Sequence, residues 1–283
     1  MEALTGIAIS VISAMQLLRK ESEETYMLCM PLKQKLNIHV IGAGGTGGYC
    51  VEYLVRLLAG GDHKIHVYDG DRVELKNLKR QNFHVYDLDK NKAEVLCARL
   101  SAQILDAPEL IPHGGYLTDE EELLAEILVS LEKDESLVII LAVDNVATRK
   151  MVNHLIYGKL AGNRILTAAL DSGNDNQGGQ VVLYANGIVR NREPFKADQT
   201  GILPSMLELF PELAAVKDEN PGLVMNCAEN AESEPQAMMA NVRNGELLAS
   251  IVNRLRETGK VSGNLWRSDI LTGNTRCEFT GFS

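Results

Sequence analysis

Apolar and polar positions along the chain follow two repeating patterns. Short runs of apolar, often β-branched residues predict strands, and the run SLVIILAV is apolar after its first residue, as in a strand buried on both faces. Between these runs, apolar residues recur every three or four positions, which predicts amphipathic helices. The predicted strands cover 37–41, 64–69, 136–143, 164–170 and 179–185. The predicted helices cover 5–22, 46–59, 89–104, 119–132, 147–159 and 236–257, and Asp89 is the expected N-cap of the third.

Strands that alternate with helices predict a Rossmann-like, doubly wound α/β fold. We expect a mainly parallel sheet with helices on both faces, followed by a helical C-terminal segment. The predicted regions are an N-terminal helical segment at 1–36, the sheet domain at 37–189, an irregular, proline-rich crossover or lid at 190–236, and a helix and tail at 237–283 that complete the domain. The Met238–Met239 pair near the start of the last helix is interpreted as core filling.

Charge and composition exclude several classes of protein. The chain has 283 residues and a formal net charge of −10, so we expect no broad nucleic-acid binding, which needs a basic face. The apolar N-terminal stretch is too short and interrupted to span a bilayer and lacks a basic leader, so we expect a cytoplasmic protein without membrane segments. Five cysteines without a CxxC pair and six histidines without metal-binding spacing on a helix give no reason to expect a disulfide framework or structural zinc.

The chain's most concentrated glycine stretch, GAGGTGG, follows the first predicted strand and opens a helix. Gly42, Gly44 and Gly47 fit the pattern GxGxxG, and Gly45 and Gly48 are additional. Glycine lets backbone N–H groups approach a phosphate closely, and a helix N-terminus carries about half a positive charge. On its own the motif leaves a phosphate cradle and a tight strand-to-helix turn equally open.

Residues after the next strand distinguish between nucleotides. Asp69 ends that strand, where a carboxylate can accept both ribose hydroxyls, although a simple turn residue is the alternative. A triphosphate needs cations and a metal as well, and Arg80, Lys92 and Asp144 follow in order. Asp144 ends a predicted parallel strand, where a carboxylate can hold Mg²⁺. Arg80 or Lys92 alone would more often be a solvated charge, but the joint order favours ATP–Mg²⁺ over NAD. An NAD-dependent oxidoreductase and a non-catalytic binding module remain alternatives.

Four blocks, in order and at suitable spacing, resemble the ThiF/MoeB/ubiquitin-activating superfamily. The blocks are GAGGTGG, YDGDRVELKNLKRQ, NKAEVLCARL and AVDNVATRKMVN, and the resemblance covers about 37–185. The tail also resembles ThiF-type proteins of bacterial PRTRC operons. The resemblance implies an ATP-dependent adenylyltransferase that activates a carboxylate and releases pyrophosphate. The implied substrate is most often the C-terminus of a ubiquitin-like protein, with a non-protein carboxylate such as modified tRNA as the alternative. The resemblance also implies a homodimer.

The same resemblance implies a role for individual residues. Asp69 would bind the ribose, Asn77 and Arg80 the phosphates, Lys92 the β- and γ-phosphates, and Asp144 the Mg²⁺ ion. Arg80, Lys92 and Asp144 would be the catalytic residues. The complete implied nucleotide-binding set is Gly42, Gly44, Gly45, Gly47, Asp69, Asp71, Asn77, Arg80, Gln81 and Lys92. Two features of MoeB and ThiF proper are absent from the sequence: the paired CxxC zinc motifs, and a legible N-terminal RxxRQ segment.

Cys227 is the best candidate for a thiol nucleophile. It lies in the non-helical stretch NPGLVMNCAEN, from which a thiolate could attack an acyl-adenylate. The alternative is a packed small hydrophobe, the common fate of a free cysteine. We favour a mechanism without an obligatory thioester. Cys50 and Cys97 lie on predicted helices and are expected in the core.

Overall fold

The computed structural model describes residues 28–174, 177–192, 198–215 and 238–283. The strands in these ranges are β1 Leu28–Cys29, β2 Lys35–Ile41, β3 Lys64–Tyr68, β4 Glu109–His113, β5 Glu135–Leu141, β6 Thr167–Asn174, β7 Gly178–Ala185, β8 Val189–Asn191, β9 Gln199–Gly201, β10 Lys260–Val261, β11 Leu265–Asp269 and β12 Thr275–Glu278. The α-helices are α1 Gly45–Leu58, α2 Lys92–Gln103, α3 Glu120–Ser130, α4 Val146–His154, α5 Met206–Leu209, α6 Pro211–Ala214 and α7 Met238–Thr258. The predicted helix at 5–22 and Cys227 lie outside the described residues.

The central sheet runs in the order β12-β11-β7-β6-β5-β2-β3-β4. Strands β2 to β6 are parallel, and β7, β11 and β12 extend the sheet with antiparallel pairs. The chain moves outward from β2 to β4 and then returns to place β5 on the other side of β2. This doubly wound arrangement confirms the predicted fold class, and it creates a topological switch point between β2 and β5. The short strands β10, β1, β8 and β9 form a second, antiparallel sheet.

The core lies on the central parallel strands. Ile38 on β2 pairs in register with Ile65 on β3 and Val138 on β5, and all three side chains are fully buried. The apolar run predicted as a doubly buried strand is β5, where Val138 to Leu141 are inaccessible to solvent. Cys50 and Cys97 are buried as expected. Within the described residues, no helix combines the length and apolarity that crossing a membrane requires.

Helix α7 packs against α1 through an unusually close backbone approach. A Cβ atom placed on Gly245 would lie 2.8 Å from the Cys50 backbone nitrogen and 2.9 Å from the Thr46 carbonyl oxygen. The interpretation of Met238 and Met239 as core filling is wrong, because their side chains are 46% and 58% exposed. The buried face of α7 carries small and polar residues at its start, which let the two helices approach.

Helix α2 begins later than predicted. The sequence indicated Asp89 as the N-cap, but Asp89 adopts a left-handed conformation with φ of 61° and precedes the helix. Asn91 is the N-cap, and its side-chain oxygen accepts a hydrogen bond from the Glu94 backbone N–H at 3.1 Å. Strand β4 was not predicted because Pro112 interrupts its sequence. The edge position of β4 accommodates a proline, since one side of an edge strand needs no partner.

We expect Gly245→Ala to destabilise the protein by about 1–3 kcal/mol, because the added methyl group meets the α1 backbone. The matched control is Gly158→Ala, since a Cβ at that helical position meets no atom of the described chain within 4 Å. The control should unfold at or slightly above the wild-type urea midpoint. Equal midpoints for both variants would contradict the close-packing role of Gly245.

Candidate active site

The switch point brings the ends of three parallel strands together. The Gly42 N–H donates to the Tyr68 carbonyl at 2.8 Å, and the Ala142 N–H donates to the Ile41 carbonyl at 2.9 Å. The chain segments that follow β2, β3 and β5 therefore meet at one edge of the sheet. Ligands of open α/β sheets bind in the crevice at this edge.

Three glycines of the turn are required by the protein's own packing. Gly42 has a φ of 98°, and a Cβ there would lie 2.6 Å from the Ala142 carbonyl oxygen. A Cβ on Gly47 would lie 1.8 Å from the Gly42 carbonyl oxygen, and one on Gly45 would lie 2.3 Å from Asn241 Nδ2. These contacts fix the turn between β2, β5 and α7.

Gly44 differs from the other glycines. Its φ is −71°, an ordinary value, and a Cβ atom placed there would have Gln81 Nε2 as its nearest described neighbour, at 3.7 Å. Packing of the described residues therefore does not require glycine at this position. The bare backbone at Gly44 suits a turn that a ligand approaches closely.

The N-terminus of α1 is favourable for an anion. Gly44 is the N-cap, and no described side chain caps the helix or places an acidic group in its first turn. The first backbone N–H groups of a helix lack intrahelical partners and point along the positive end of the helix dipole. Such an end is a ready binding position for a phosphate group.

Asp69 connects the glycine turn to the loop after β3. Its Oδ2 accepts a hydrogen bond from the Ala43 N–H at 2.8 Å, and its Oδ1 accepts one from the Asp71 N–H at 2.9 Å. Burial raises the pKa of Asp69, and the nearby Lys92 charge opposes this effect only in part. A carboxylate has about four acceptor positions, so these two bonds leave capacity for ribose hydroxyls.

Lys92 is held next to Asp69 by an acidic partner. Its Nζ lies 2.7 Å from Asp71 Oδ2, and the hydroxyl of Tyr116 donates to Asp71 Oδ1 at 2.6 Å. Burial would raise the pKa of Asp71, but the charge and hydrogen bond of Lys92, with the bond from Tyr116, lower it overall. The Lys92 side chain is only 7% exposed. Tyr116 was not identified from the sequence, and no motif there points to it.

Asn91 fastens three segments around this lysine. While its side-chain oxygen caps α2, its Nδ2 donates to the Asp69 carbonyl at 2.8 Å and to the Gly114 carbonyl at 3.1 Å. Lys92 is the first residue of α2, so these bonds determine where its side chain starts. The sequence carried a signal for this role, an asparagine directly before a helix, but Asp89 was preferred as the cap.

The NLKRQ segment forms a tight turn beside the glycines. The buried Asn77 accepts from the Glu74 N–H through its side chain at 2.8 Å, and its carbonyl accepts from the N–H groups of Arg80 and Gln81. Asn77 thus builds the turn, and its implied phosphate contact stays a prediction. Gln81 Oε1 is buried near Gly44 without a hydrogen-bond partner among the described residues. An unpaired buried polar atom costs about 1–3 kcal/mol, which a ligand or water with a donor would offset.

The C-terminal helix also reaches this site. Asn241 on α7 is fully buried, and its Nδ2 donates to the Arg80 carbonyl at 3.1 Å. Its Oδ1 accepts from Asn174 Nδ2 at 2.7 Å and lies 3.5 Å from the Thr46 hydroxyl. One side chain therefore connects α7 with α1, the end of β6 and the turn that carries Arg80. Sequence reasoning missed Asn241, because a single asparagine in a helical pattern gives no signal of long-range bonding.

Asp144 and Arg149 lie beyond the end of β5. Asp144 is exposed to solvent, three residues after the end of β5. Arg149 is 6% exposed, forms an ion pair with the buried Asp171, and donates to the carbonyls of Val143 and Ser172 at 2.6 and 2.9 Å. Burial lowers the pKa of Arg149 to about 10, and the nearby Asp144 carboxylate opposes this effect in part. Arg149 therefore ties the ends of β5 and β6 together, a role that the sequence analysis did not assign.

Direct bonds thus connect the glycine turn with Asp69, Asp71 and Lys92. Gln81 lies beside Gly44, and the backbone of Arg80 is fixed by α7. The roles of these side chains toward a nucleotide stay predictions.

The protein is a Rossmann-like α/β protein, with a glycine turn at the switch point of its sheet that suits an anion. The sequence model of the ThiF family matches residues 30–280, so the chain belongs to the ThiF family. The NEDD8-activating enzyme E1 catalytic subunit of Arabidopsis thaliana is 33% identical over 133 residues, which are 47% of this chain and 27% of that protein. The sulfur carrier protein adenylyltransferase of Thermus thermophilus is 30% identical over 199 residues, which are 69% of this chain and 61% of that protein. The chain therefore spans less than two thirds of the length of either relative.

Solved structures agree on the fold. Escherichia coli MccB with ATP has a TM-score of 0.54 and 17% identity, covering 88% of this chain and 64% of that chain. PaaA has a TM-score of 0.55 and 15% identity, covering 87% of this chain and 64% of that chain. At these identities the likeness concerns the architecture alone.

We expect Asn241→Ala to destabilise the protein by about 1–3 kcal/mol, because it removes a fully buried side chain that donates to the Arg80 carbonyl and accepts from Asn174. The control is Met239→Ala on the same helix, whose side chain is exposed and whose loss should cost little. Urea unfolding monitored by circular dichroism measures both. If Asn241→Ala unfolds at the wild-type midpoint, the network adds nothing to stability.

Proposed function

We propose that this protein is an ATP-dependent adenylyltransferase that activates a carboxylate and releases pyrophosphate. The observation that carries the proposal is the bonded path from the Ala43 N–H through Asp69 and Asp71 to Lys92. These bonds bring together three groups that suit a nucleotide: a carboxylate able to accept ribose hydroxyls, a helix N-terminus without a side-chain cap, and a buried ammonium group. Membership of the ThiF family supports the same activity, as do relatives named as activating enzymes and as an adenylyltransferase.

The reaction would join the substrate carboxylate to the α-phosphorus of ATP. A carboxylate oxygen attacks that phosphorus, the bond to the bridging oxygen of the β-phosphate breaks, and pyrophosphate leaves with the electron pair. The backbone N–H groups at the start of α1 bind phosphate oxygens, and Asp69 binds the ribose. Lys92 and Arg80 would stabilise negative charge on the departing phosphates. No protein nucleophile is needed for this step.

The residues near Asp144 fit a magnesium ion. An exposed carboxylate at the carboxyl end of a parallel strand offers the oxygen ligand that Mg²⁺ prefers, and the remaining ligands would come from phosphates and water. A bound Mg²⁺ ion would neutralise phosphate charge.

The C-terminus of a ubiquitin-like protein is the substrate that we favour. The support comes from relatives named as subunits of NEDD8- and SUMO-activating enzymes and as an adenylyltransferase of a sulfur carrier protein. A non-protein carboxylate, such as one on modified tRNA, is the alternative. We also propose a homodimer, as the superfamily resemblance implies. A thioester at Cys227 is not part of the proposal.

ATP–pyrophosphate exchange with a ubiquitin-like protein ending in Gly-Gly tests the function. We expect exchange by the wild type and its loss, by about 100-fold or more, in Asp144→Ala, because the metal ligand is removed. The control is Asp62→Ala, an exposed aspartate before β3 that pairs with Lys35 at the opposite end of the sheet. Exchange at the wild-type rate in Asp144→Ala would refute the metal assignment. A wild type that neither exchanges with any carboxylate tested nor is stabilised by ATP–Mg²⁺ would refute the function.

The pair Gly44→Ala and Gly47→Ala separates binding from folding. Without ligand, Gly44→Ala should lose less stability than Gly47→Ala, since its methyl group has room, but it should bind ATP–Mg²⁺ about tenfold more weakly because, on the proposed function, that group faces the phosphates. Gly47→Ala should lose about 3 kcal/mol of stability from the clash with the Gly42 carbonyl. Thermal melting with and without ATP–Mg²⁺ measures both effects, and NAD serves as the ligand control. An unchanged ATP-induced shift in Gly44→Ala would contradict the assigned phosphate position.

A further inference from the structure

Three histidines from adjacent parallel strands stack on one face of the sheet. His39 on β2 is in register with His66 on β3, and their parallel rings have centroids 4.3 Å apart. His113 on β4 follows, with its centroid 5.3 Å from that of His66. Three stacked imidazoles are an unusual use of a sheet face, and the proposed adenylation involves none of them.

A carboxylate from α3 completes the cluster. His66 Nδ1 lies 3.1 Å from His113 Nε2 and 3.5 Å from Glu126 Oε1. The three ligand atoms all lie within 4.8 Å of one another. Zinc bonds to imidazole nitrogen are about 2.0–2.1 Å long, which gives a tetrahedral edge of roughly 3.3 Å between ligand atoms. Two of the three separations match that edge, and the partly exposed Glu126 side chain can adjust the third.

The cluster offers two imidazole nitrogens and one carboxylate oxygen as donor atoms. Neutral imidazole and carboxylate together form a ligand set typical of zinc and neighbouring transition ions.

We propose that His66, His113 and Glu126 bind one divalent transition-metal ion of the zinc type, at a site separate from the nucleotide crevice. Three protein ligands leave a fourth position for water. Such a site could not be expected from the sequence, because the histidines are far apart in the chain and share no helix. They become neighbours only through the pairing of β3 with β4.

The ion would connect α3 with the edge of the sheet. It would also stabilise the end of β4, where the His113 carbonyl accepts the Asp69 N–H at 3.1 Å. Without an ion, the contact between His66 and His113 is an N–H···N hydrogen bond and Glu126 is a neighbouring charge. The two interpretations differ in whether the protein binds metal stoichiometrically.

Metal titration of the full chain tests the proposal. Protein stripped by a chelator is titrated with Zn²⁺ against a chromophoric competitor, and separately with Co²⁺, whose visible absorption reports tetrahedral ligation. We expect the wild type to bind a single equivalent at this site. His113→Gln and Glu126→Gln should each bind at least about 100-fold more weakly, since even outer-shell partners of a metal contribute about 10–100-fold. Both side chains are partly exposed, and circular dichroism verifies that the variants fold.

The controls are His154→Gln and Glu121→Gln, an exposed histidine on α4 and an exposed glutamate on α3 outside the cluster. Both should bind Zn²⁺ like the wild type. The proposal is overturned if the wild type binds no stoichiometric Zn²⁺. It is also overturned if His113→Gln and Glu126→Gln, both folded, retain wild-type binding and the wild-type Co²⁺ spectrum.

Discussion

The two hydrogen bonds to the Asp69 carboxylate are the interaction on which the rest of the site depends. One comes from Ala43 in the glycine turn and the other from Asp71 in the next loop. Because β2 and β3 pair in parallel register, their ends lie side by side, and a half-buried carboxylate can accept from both loops. The same bonds place Asp71 where it binds Lys92. A single acidic side chain thus aligns the glycine turn with the loop that positions the Lys92 ammonium group.

This alignment constrains the C-terminal helix as well. Gly45 and Gly245 remove the methyl groups that would keep α1 and α7 apart, and Asn241 then reaches the Arg80 carbonyl. The turn that carries Arg80 is therefore fixed by a helix far along the chain, at a separation of 161 positions. On the proposed function, the C-terminal helix is part of the catalytic apparatus, because it determines where the guanidinium group begins.

The sequence predicted those features that depend on residues close together in the chain. The run SLVIILAV, the glycine turn and the order of Asp69 and Lys92 each carry their signal within a few residues. Asn241, Tyr116 and Asp171 act on residues distant in the chain, so no short pattern identifies them. The Met238–Met239 interpretation was wrong for a related reason: apolar character predicts burial only when a helix presents that face to the core. At the start of α7 the close approach to α1 requires small and polar residues instead.

The pairing of Lys92 with Asp71 explains how a chain with a net negative charge could bind the negatively charged phosphates of a nucleotide. Lys92 is nearly inaccessible to solvent, and an unpaired ammonium there would lose much of its hydration. Asp71 offsets that loss in the absence of ligand, and Tyr116 in turn donates to Asp71. An ammonium group has three donors, and the bond to Asp71 uses one, so Lys92 can bind phosphate oxygens without leaving its partner. On the proposed function, the Lys92 ammonium group is in position before the nucleotide binds. The free energy of removing water from it is therefore lost during folding and does not weaken nucleotide binding.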